Sequence, residues 1–270
     1  MSPSIGMAIR NMGPQSTREL MLHAALACED AGFESLWVTD HIAIPPDNAE
    51  GSGGRYLDPL ACLAWMGGHT QRIKLGTGVL VLPYRPSVPT GKWVATVQEL
   101  TNNRVLLGVG IGWLEEGFRA VGADPANRAK DGDAVLDYLN RGFANHVVTE
   151  NGQDFIFSPQ PERPPILVGG FPPHALERAI KYGEGWFAIN LSPEELAPHI
   201  RSYKDAAAAT DRPAEVTTYV RFDEHETDLV TKIRALADVG VDRVIGSTRY
   251  TNQDMFDRCH GLLAEASAQL

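Results

Sequence analysis

Residues 4–39, SIGMAIRNMGPQSTRELMLHAALACEDAGFESLWVT, carry one full period of the pattern that decides the fold. Ser4 to Arg10 is a short apolar run of strand length. Ser16 or Thr17 then stands where a helix N-cap belongs, because a hydroxyl can accept from a free first-turn amide. An apolar stripe follows at helical spacing through Leu20, Met21, Ala24, Ala27, Cys28 and Ala31, and Gly32 closes it. Ser35-Leu-Trp-Val-Thr39 is a second apolar run, too short for a helix. Strand, helix and strand with short joints are the unit of a parallel sheet, since parallel neighbours need a crossover.

The period repeats along the chain. A Pro/Gly-rich connection leads to a helix from Leu57 to Gly67, and then come the strand Ile73–Val81, a helix from Val88 to Leu100 and the strand Val105–Val109. Helical sequence from Leu114 to Gly142 precedes the strand Ile166–Val168 and the helix Pro173–Tyr182. The strand Trp186–Ile189, the helix Pro193–Ala209, the strand Val216–Arg221, the helix Glu226–Val239, the strand Val241–Ile245 and a last helix complete the series. Eight apolar strands alternating with helices predict a parallel sheet covered on its outside, and a (β/α)8 TIM barrel closes at that number. An open doubly wound sheet satisfies the same pattern. One interruption, Val147-Val-Thr, Asn151-Gly152 and Phe155-Ile-Phe, predicts a small β-hairpin inserted before the fifth strand, on the barrel's outside or rim.

Bulk properties agree with a single domain over 1–270. A chain of 270 residues with 43% apolar content can bury one core of barrel size. It has no apolar run of membrane length and no signal-like start, so a soluble, cytoplasmic protein with no membrane partner is expected. Cys28, Cys62 and Cys259 are distant from one another and read as buried thiols. The net charge of −10 comes without any Lys/Arg block, which argues against nucleic acid as a partner.

In a parallel barrel the residues just after each strand share one face, so chemistry is sought there. Asp40-His41 follows the second strand and can exchange protons near neutral pH; a capping aspartate beside a hydrogen-bonded histidine gives the same residues. Gly76-Thr77-Gly78-Val79 interrupts the third strand, either as a bare wall for a flat aromatic ring or as a kink that only curves the barrel. Gly108-Val-Gly110-Ile-Gly112 ends the fourth strand, but its third glycine comes too early for a dinucleotide fingerprint. Gly169-Gly170 lies between a strand and a helix, where free amides can bind a phosphate or merely make a tight turn. No metal is expected, because the histidines and carboxylates lack ligand spacing, and no nucleophile elbow is present.

Leu36-Trp-Val-Thr-Asp40-His41, Arg72-Ile-Lys-Leu-Gly-Thr-Gly-Val-Leu-Val-Leu-Pro-Tyr-Arg85, Arg104-Val-Leu-Leu-Gly-Val-Gly-Ile-Gly-Trp-Leu-Glu-Glu116 and Pro164-Pro-Ile-Leu-Val-Gly-Gly170, continued by Ala179 through Trp186, together resemble the luciferase-like oxidoreductases. The resemblance implies a flavin-type ring held against a third-strand bulge, with a non-proline cis peptide at Gly78-Val79. It implies that Asp40 and His41 lie beside the ring and that Gly169 and Gly170 hold the cofactor phosphate. Gly110, Gly112 and Trp113 are then expected to line the fourth-strand side, and a homodimer is compatible, with Trp93, Val94 and Val97 on an apolar helix face. Where many relatives have a Ser-Gly-Gly-Arg turn this chain has Asn102-Asn103-Arg104; asparagine also takes the left-handed turn. The Asn-Arg form is similar to that of deazaflavin-dependent sugar-phosphate dehydrogenases, but those place a carboxylate where Trp113 stands, so a different substrate is implied.

Reduced flavin activates oxygen, whereas the deazaflavin coenzyme F-420 is a hydride carrier. Luciferases have a long mobile segment after the seventh strand; here Phe222-Asp223-Glu224 leads almost directly into a helix, which favours F-420 and a small-molecule substrate. The segment Ile42–Tyr56 remains as a cover. His41, oriented by Asp40 or a neighbour, is expected to handle the proton. An FMN-dependent monooxygenase fed by a separate flavin reductase, and a non-catalytic flavin-binding barrel, stay open as alternatives.

Overall fold

The computed structural model describes residues 2–270. The strands are β1 (Ser4–Ala8), β2 (Ser35–Val38), β3 (Lys74–Thr77), β4 (Leu80–Val81), β5 (Val105–Gly110), β6 (Val147–Glu150), β7 (Gln153–Ile156), β8 (Ile166–Gly169), β9 (Gly185–Ala188), β10 (Glu215–Arg221) and β11 (Arg243–Ser247). The helices are α1 (Arg18–Asp30), α2 (Pro59–Gly67), α3 (Ser87–Leu100), α4 (Glu115–Ala120), α5 (Arg128–Ala144), α6 (His174–Tyr182), α7 (Pro193–Ala208), α8 (Leu229–Asp238) and α9 (Gln253–Ser267).

Nine segments form one parallel sheet in the order β3-β2-β1-β11-β10-β9-β8-β5-β4, and the pairing of β3 with β5 closes it. β3 and β4 are two parts of one strand, so the closed sheet is an eight-stranded barrel and the open alternative is excluded. The continuous apolar strands are explained by burial on both faces. Inside the barrel Trp37, Leu106, Leu167, Phe187 and Ile245 pack together, while a larger apolar layer lies between strands and helices. The amino-terminal end is plugged by Arg243, which donates to Glu34, Glu215 and Thr217 and lies 5.9 Å above the Trp37 ring.

The inserted hairpin is β6 with β7, and Asn151 and Gly152 at φ 51° and 77° make the turn that the Asn-Gly pair predicts. It lies outside the barrel on α5, where Arg141 bonds Thr149 and Glu150. Asn102 and Asn103 take the left-handed turn at φ 54° and 60°.

Some boundaries differ from the expectation. The helical stretch 114–142 is α4 and α5, broken where Gly122 has φ +75° and Asp124 caps a short turn beginning at Pro125. α8 begins at Leu229 rather than Glu226: Glu226 stands before the helix, where its carboxylate accepts from the Asp228 amide and pairs with Lys232 of α8. Of the α3 face expected to serve an interface, Val94 and Val97 are buried in the monomer and Trp93 is exposed. No helix among the described residues is long and apolar enough to cross a membrane.

Candidate active site at the carboxyl ends of the barrel strands

The register explains the break in the third strand. Gly76 pairs with Leu106 and Leu80 with Val109, so four steps on one strand oppose three on the other. That is a β-bulge, and it contains a non-proline cis peptide at Gly78-Val79, as the resemblance implied. It is held by the neighbouring strand β2 and, across the barrel, by β10. The Gly78 amide donates to Val38 O at 2.8 Å, and the Tyr219 hydroxyl donates to Gly78 O at 2.9 Å. Burial pushes the Tyr219 hydroxyl above its usual range, so it stays a neutral donor.

The glycines around the bulge make room for the protein itself. A Cβ on Gly110 would lie 2.7 Å from Val79 Cγ2, and one on Gly169 would lie 2.8 Å from Val79 Cγ1. The Val79 isopropyl group therefore seats between β5 and β8 on two bare backbones. Gly76 is covered by the Trp37 indole, whose Nε1 donates to Ser35 Oγ at 2.8 Å. The flat ring on that wall is the protein's own, which corrects the reading of Gly76 as a cofactor platform. Thr77 is fully buried and its hydroxyl donates to Gly108 O at 2.7 Å, so it too builds the wall.

Asp40 and His41 separate in role. The Asp40 carboxylate accepts from the Val81 amide at 2.9 Å and from Arg85 at 2.6 and 3.0 Å, and Arg85 also reaches Asp58 at 3.0 Å. No hydrogen bond joins Asp40 to His41 among the described residues, so of the two orienting groups expected, Asp40 or a neighbour, Asp40 does not act through a hydrogen bond and instead holds the bulge. His41 is half-buried, with its ring 4.8 Å from Tyr56 and 6.2 Å from Trp113 in edge-on packing. Its Nδ1 is buried without a partner. Burial lowers its pKa from the usual 6.5, against an opposing pull from the Asp40 charge, so the imidazole is neutral at pH 7.

Gly112, at φ +74°, turns the chain after β5 and presents Trp113, which is exposed on the rim. Gly170, at φ +135°, follows β8; its carbonyl accepts from Trp186 Nε1 at 2.9 Å. α6 begins next with Pro173 at its N-cap and no side-chain cap; the Ala175 amide donates to Phe171 O at 3.2 Å. The orphaned Nδ1 of His41, the bulge and this uncapped helix fit a planar cofactor with a phosphate tail.

A cavity of about 640 Å³ opens on the other half of the same face, between β1, β2, β10 and β11. Its floor reaches Trp37, Gly78 and Tyr219, and Arg10, Arg221 and Arg249 stand on its wall. Sequence reasoning missed these arginines, although Arg10 and Arg249 obey the same rule that singled out His41: they follow a strand at its carboxyl end. It also missed Asn11, which is buried and ties the connection after β2 to the barrel. Asn11 Nδ2 donates to Thr39 O at 2.7 Å and Leu57 O at 2.8 Å, while its Oδ1 accepts from the Thr39 amide at 3.1 Å.

The model of the family described as luciferase-like monooxygenase matches residues 6–254. The chain is similar to an uncharacterised protein of Mycobacterium tuberculosis, 29% identical over 264 residues that cover 86% of this chain and 91% of that protein. It is also similar to the F-420-dependent glucose-6-phosphate dehydrogenase of Kineococcus radiotolerans, 29% identical over 237 residues, or 80% and 68% of the two chains. Among solved structures, an F-420-dependent secondary alcohol dehydrogenase in complex with an F-420-acetone adduct superposes with a TM-score of 0.81, at 15% identity over 99% of each chain. A monooxygenase from Streptomyces bottropensis superposes with a TM-score of 0.80, at 18% identity over 98% of each. At these identities the two structures share the fold.

Proposed function

The chain belongs to the luciferase-like monooxygenase family, and on that premise we propose that it transfers a hydride between a small organic substrate and the deazaflavin coenzyme F-420. The observation that carries the choice of cofactor is the short connection 222–228 between β10 and α8. Seven residues offer little chain to cover the cavity, and an oxygen-activating flavin needs a site closed to water. The other connection able to cover it, after β2, is anchored at both ends, by Asn11 to Thr39 and Leu57 and by the bridge between Met12 and Tyr56. F-420-dependent enzymes among the similar proteins support the same reading.

The bulge at Gly78-Val79 would carry the ring, with Gly112 and Trp113 beside it, and Gly170 with the first turn of α6 would hold the phosphate. When bound, the deazaflavin supplies a carbon that accepts or delivers a hydride. His41 manages the proton. Neutral and packed against Tyr56 and Trp113, it takes the hydroxyl proton of an alcohol substrate and returns it in the reverse direction. Asp40 contributes through Arg85 and the Val81 amide by keeping the bulge in place.

The test is equilibrium binding of the purified protein to F-420 and to FMN, followed by absorbance, with oxygen consumption recorded during turnover. Tighter F-420 binding and no oxygen uptake are expected. Tighter FMN binding with oxygen uptake would make the protein a monooxygenase supplied by a reductase. A cofactor that binds and never changes redox state would make it a non-catalytic barrel.

A further inference from the structure

Three arginines share the 640 Å³ cavity, and none is ion-paired with a carboxylate of the chain among the described residues. Arg10 follows β1; its Nε is buried without a partner and its guanidinium lies 6.0 Å from the Tyr250 ring. Arg221 ends β10 and donates only to Asn190 Oδ1, at 2.7 Å. Arg249 follows β11 and is exposed. Two carboxylates share the cavity, Asp223 and Glu226: Asp223 accepts from the His225 amide of its own loop at 2.8 Å, and Glu226 pairs with Lys232 on α8. In a protein of net charge −10, three arginines against two carboxylates, one of them paired with Lys232, give this cavity a local excess of positive charge.

The barrel order places this charge relative to the cofactor. From β8 through β9, β10 and β11 to β1 is four steps in a closed ring of eight, so Arg10 stands on the wall opposite Gly170. A phosphate held at the start of α6 leaves the arginine wall free for a second anion. The cavity between also has carbon-lined surface from Ile9, Met12, Phe222 and Met255, and it descends to Gly78 beside the bulge. We propose that the substrate is an organic anion, whose carboxylate or phosphate group is held by Arg10, Arg221 and Arg249 while its carbon skeleton reaches down toward the bulge. Guanidinium forks bind both groups through paired charge-assisted hydrogen bonds. The inference names the substrate class for the site above and so rests on the functional reading already given.

The test is calorimetric titration of the full chain, with and without bound cofactor, using benzoate, inorganic phosphate and the neutral control benzamide. Benzoate or phosphate is expected to bind at least about tenfold more tightly than benzamide, and the double variant Arg221→Gln/Arg249→Gln to erase that difference. Both side chains are exposed, so the double variant should fold; Arg10→Gln, checked by circular dichroism, provides a second variant. Preference for benzoate assigns a carboxylate and preference for phosphate a phosphoryl group. Equal binding of the anions and benzamide, or no binding, overturns the proposal. So does a double variant that loses affinity for F-420 or FMN instead, because the arginines would then hold the cofactor's own tail. Anion binding to the cofactor-free chain is read without turnover, so a failure of the hydride-transfer reading is seen separately.

Discussion

Arg85 grips Asp40 with both arms of its guanidinium, Nη1 to Oδ2 at 2.6 Å and Nη2 to Oδ1 at 3.0 Å, and both side chains are buried. The pair links the end of β2 to the segment after the bulge, and the second arm of Arg85 reaches on to Asp58 at the start of α2. A buried charge that loses its partner is left without solvent, so the cost of breaking the pair exceeds that of a surface bridge. Asp40→Asn is expected to lower stability by about 3–5 kcal/mol in urea unfolding and to weaken cofactor binding in parallel. Unchanged stability would show that Asp40 does not hold the bulge.

His41 should behave as a working base and not as part of the frame. His41→Gln is expected to lower turnover by a factor of about 10² to 10⁴ while cofactor affinity stays within about threefold. Because burial holds its pKa below 6.5, alcohol oxidation should stay level above pH 6.5 and decline only at lower pH. The sign for stability is the same. As pH falls through 6.5 the unfolded chain takes the proton before the folded one, so the fold loses stability there, and His41→Gln should lose less. A variant with full turnover would remove His41 from the chemistry.

The charged plug at the amino-terminal end predicts acid sensitivity. Burial raises the Glu34 pKa, but the hydrogen bonds and charge of Arg243, together with Lys74 and Ser35, outweigh it and bring the carboxyl down to about 2 from the usual 4.5. A carboxylate depressed in the folded state stabilises above pH 4.5 and loses that contribution as pH falls through about 2. Glu34→Gln should therefore cost about 2–3 kcal/mol at neutral pH, with the difference from the parent protein shrinking below pH 4.5. Parallel stability curves for the two proteins down to pH 2 would contradict this.

Glycines that accommodate Val79 and Trp37 should resist even one added methyl. Gly110→Ala must displace the Val79 side chain and Gly76→Ala the Trp37 indole, each at a cost of roughly 1–3 kcal/mol of overpacking. Gly110→Ala combined with Val79→Ala should recover much of the loss, since the methyl group then has room. Failure of that rescue in thermal unfolding would mean that Gly110 is needed for another reason.

The three thiols should be silent in the native state. Cys28, Cys62 and Cys259 are all buried, and burial raises their pKa values, that of Cys62 to about 12. A chromogenic disulfide reagent is expected to titrate none of them quickly in buffer and all three in urea. Rapid reaction of any one in buffer would show an accessible thiol.

How much could be read in advance depended on how local the cause was. The barrel was legible because each of its strands is buried on both faces and so writes a continuous apolar run into the chain. The hairpin was legible because Asn151-Gly152 alone dictates a left-handed turn, and the bulge because Gly-Thr-Gly interrupts a strand. The cis peptide at Gly78-Val79 came only through resemblance to a family. The purpose of the glycines was misread at Gly76, since nothing local shows that the Trp37 side chain crosses from β2 to cover it.

The sequence by itself determined the order of strands and helices, the rim position of His41 and the hairpin, all set by periodicity and turn chemistry within a few residues. Only the tertiary structure decided which side chains meet: Arg85 with Asp40, Asn11 with the connection after β2, and Arg10 with Arg221 and Arg249 around one cavity. The reason is geometric. These contacts join positions that are 28 to more than 200 residues apart, and they exist only once β3 pairs with β5 and the sheet closes into a ring.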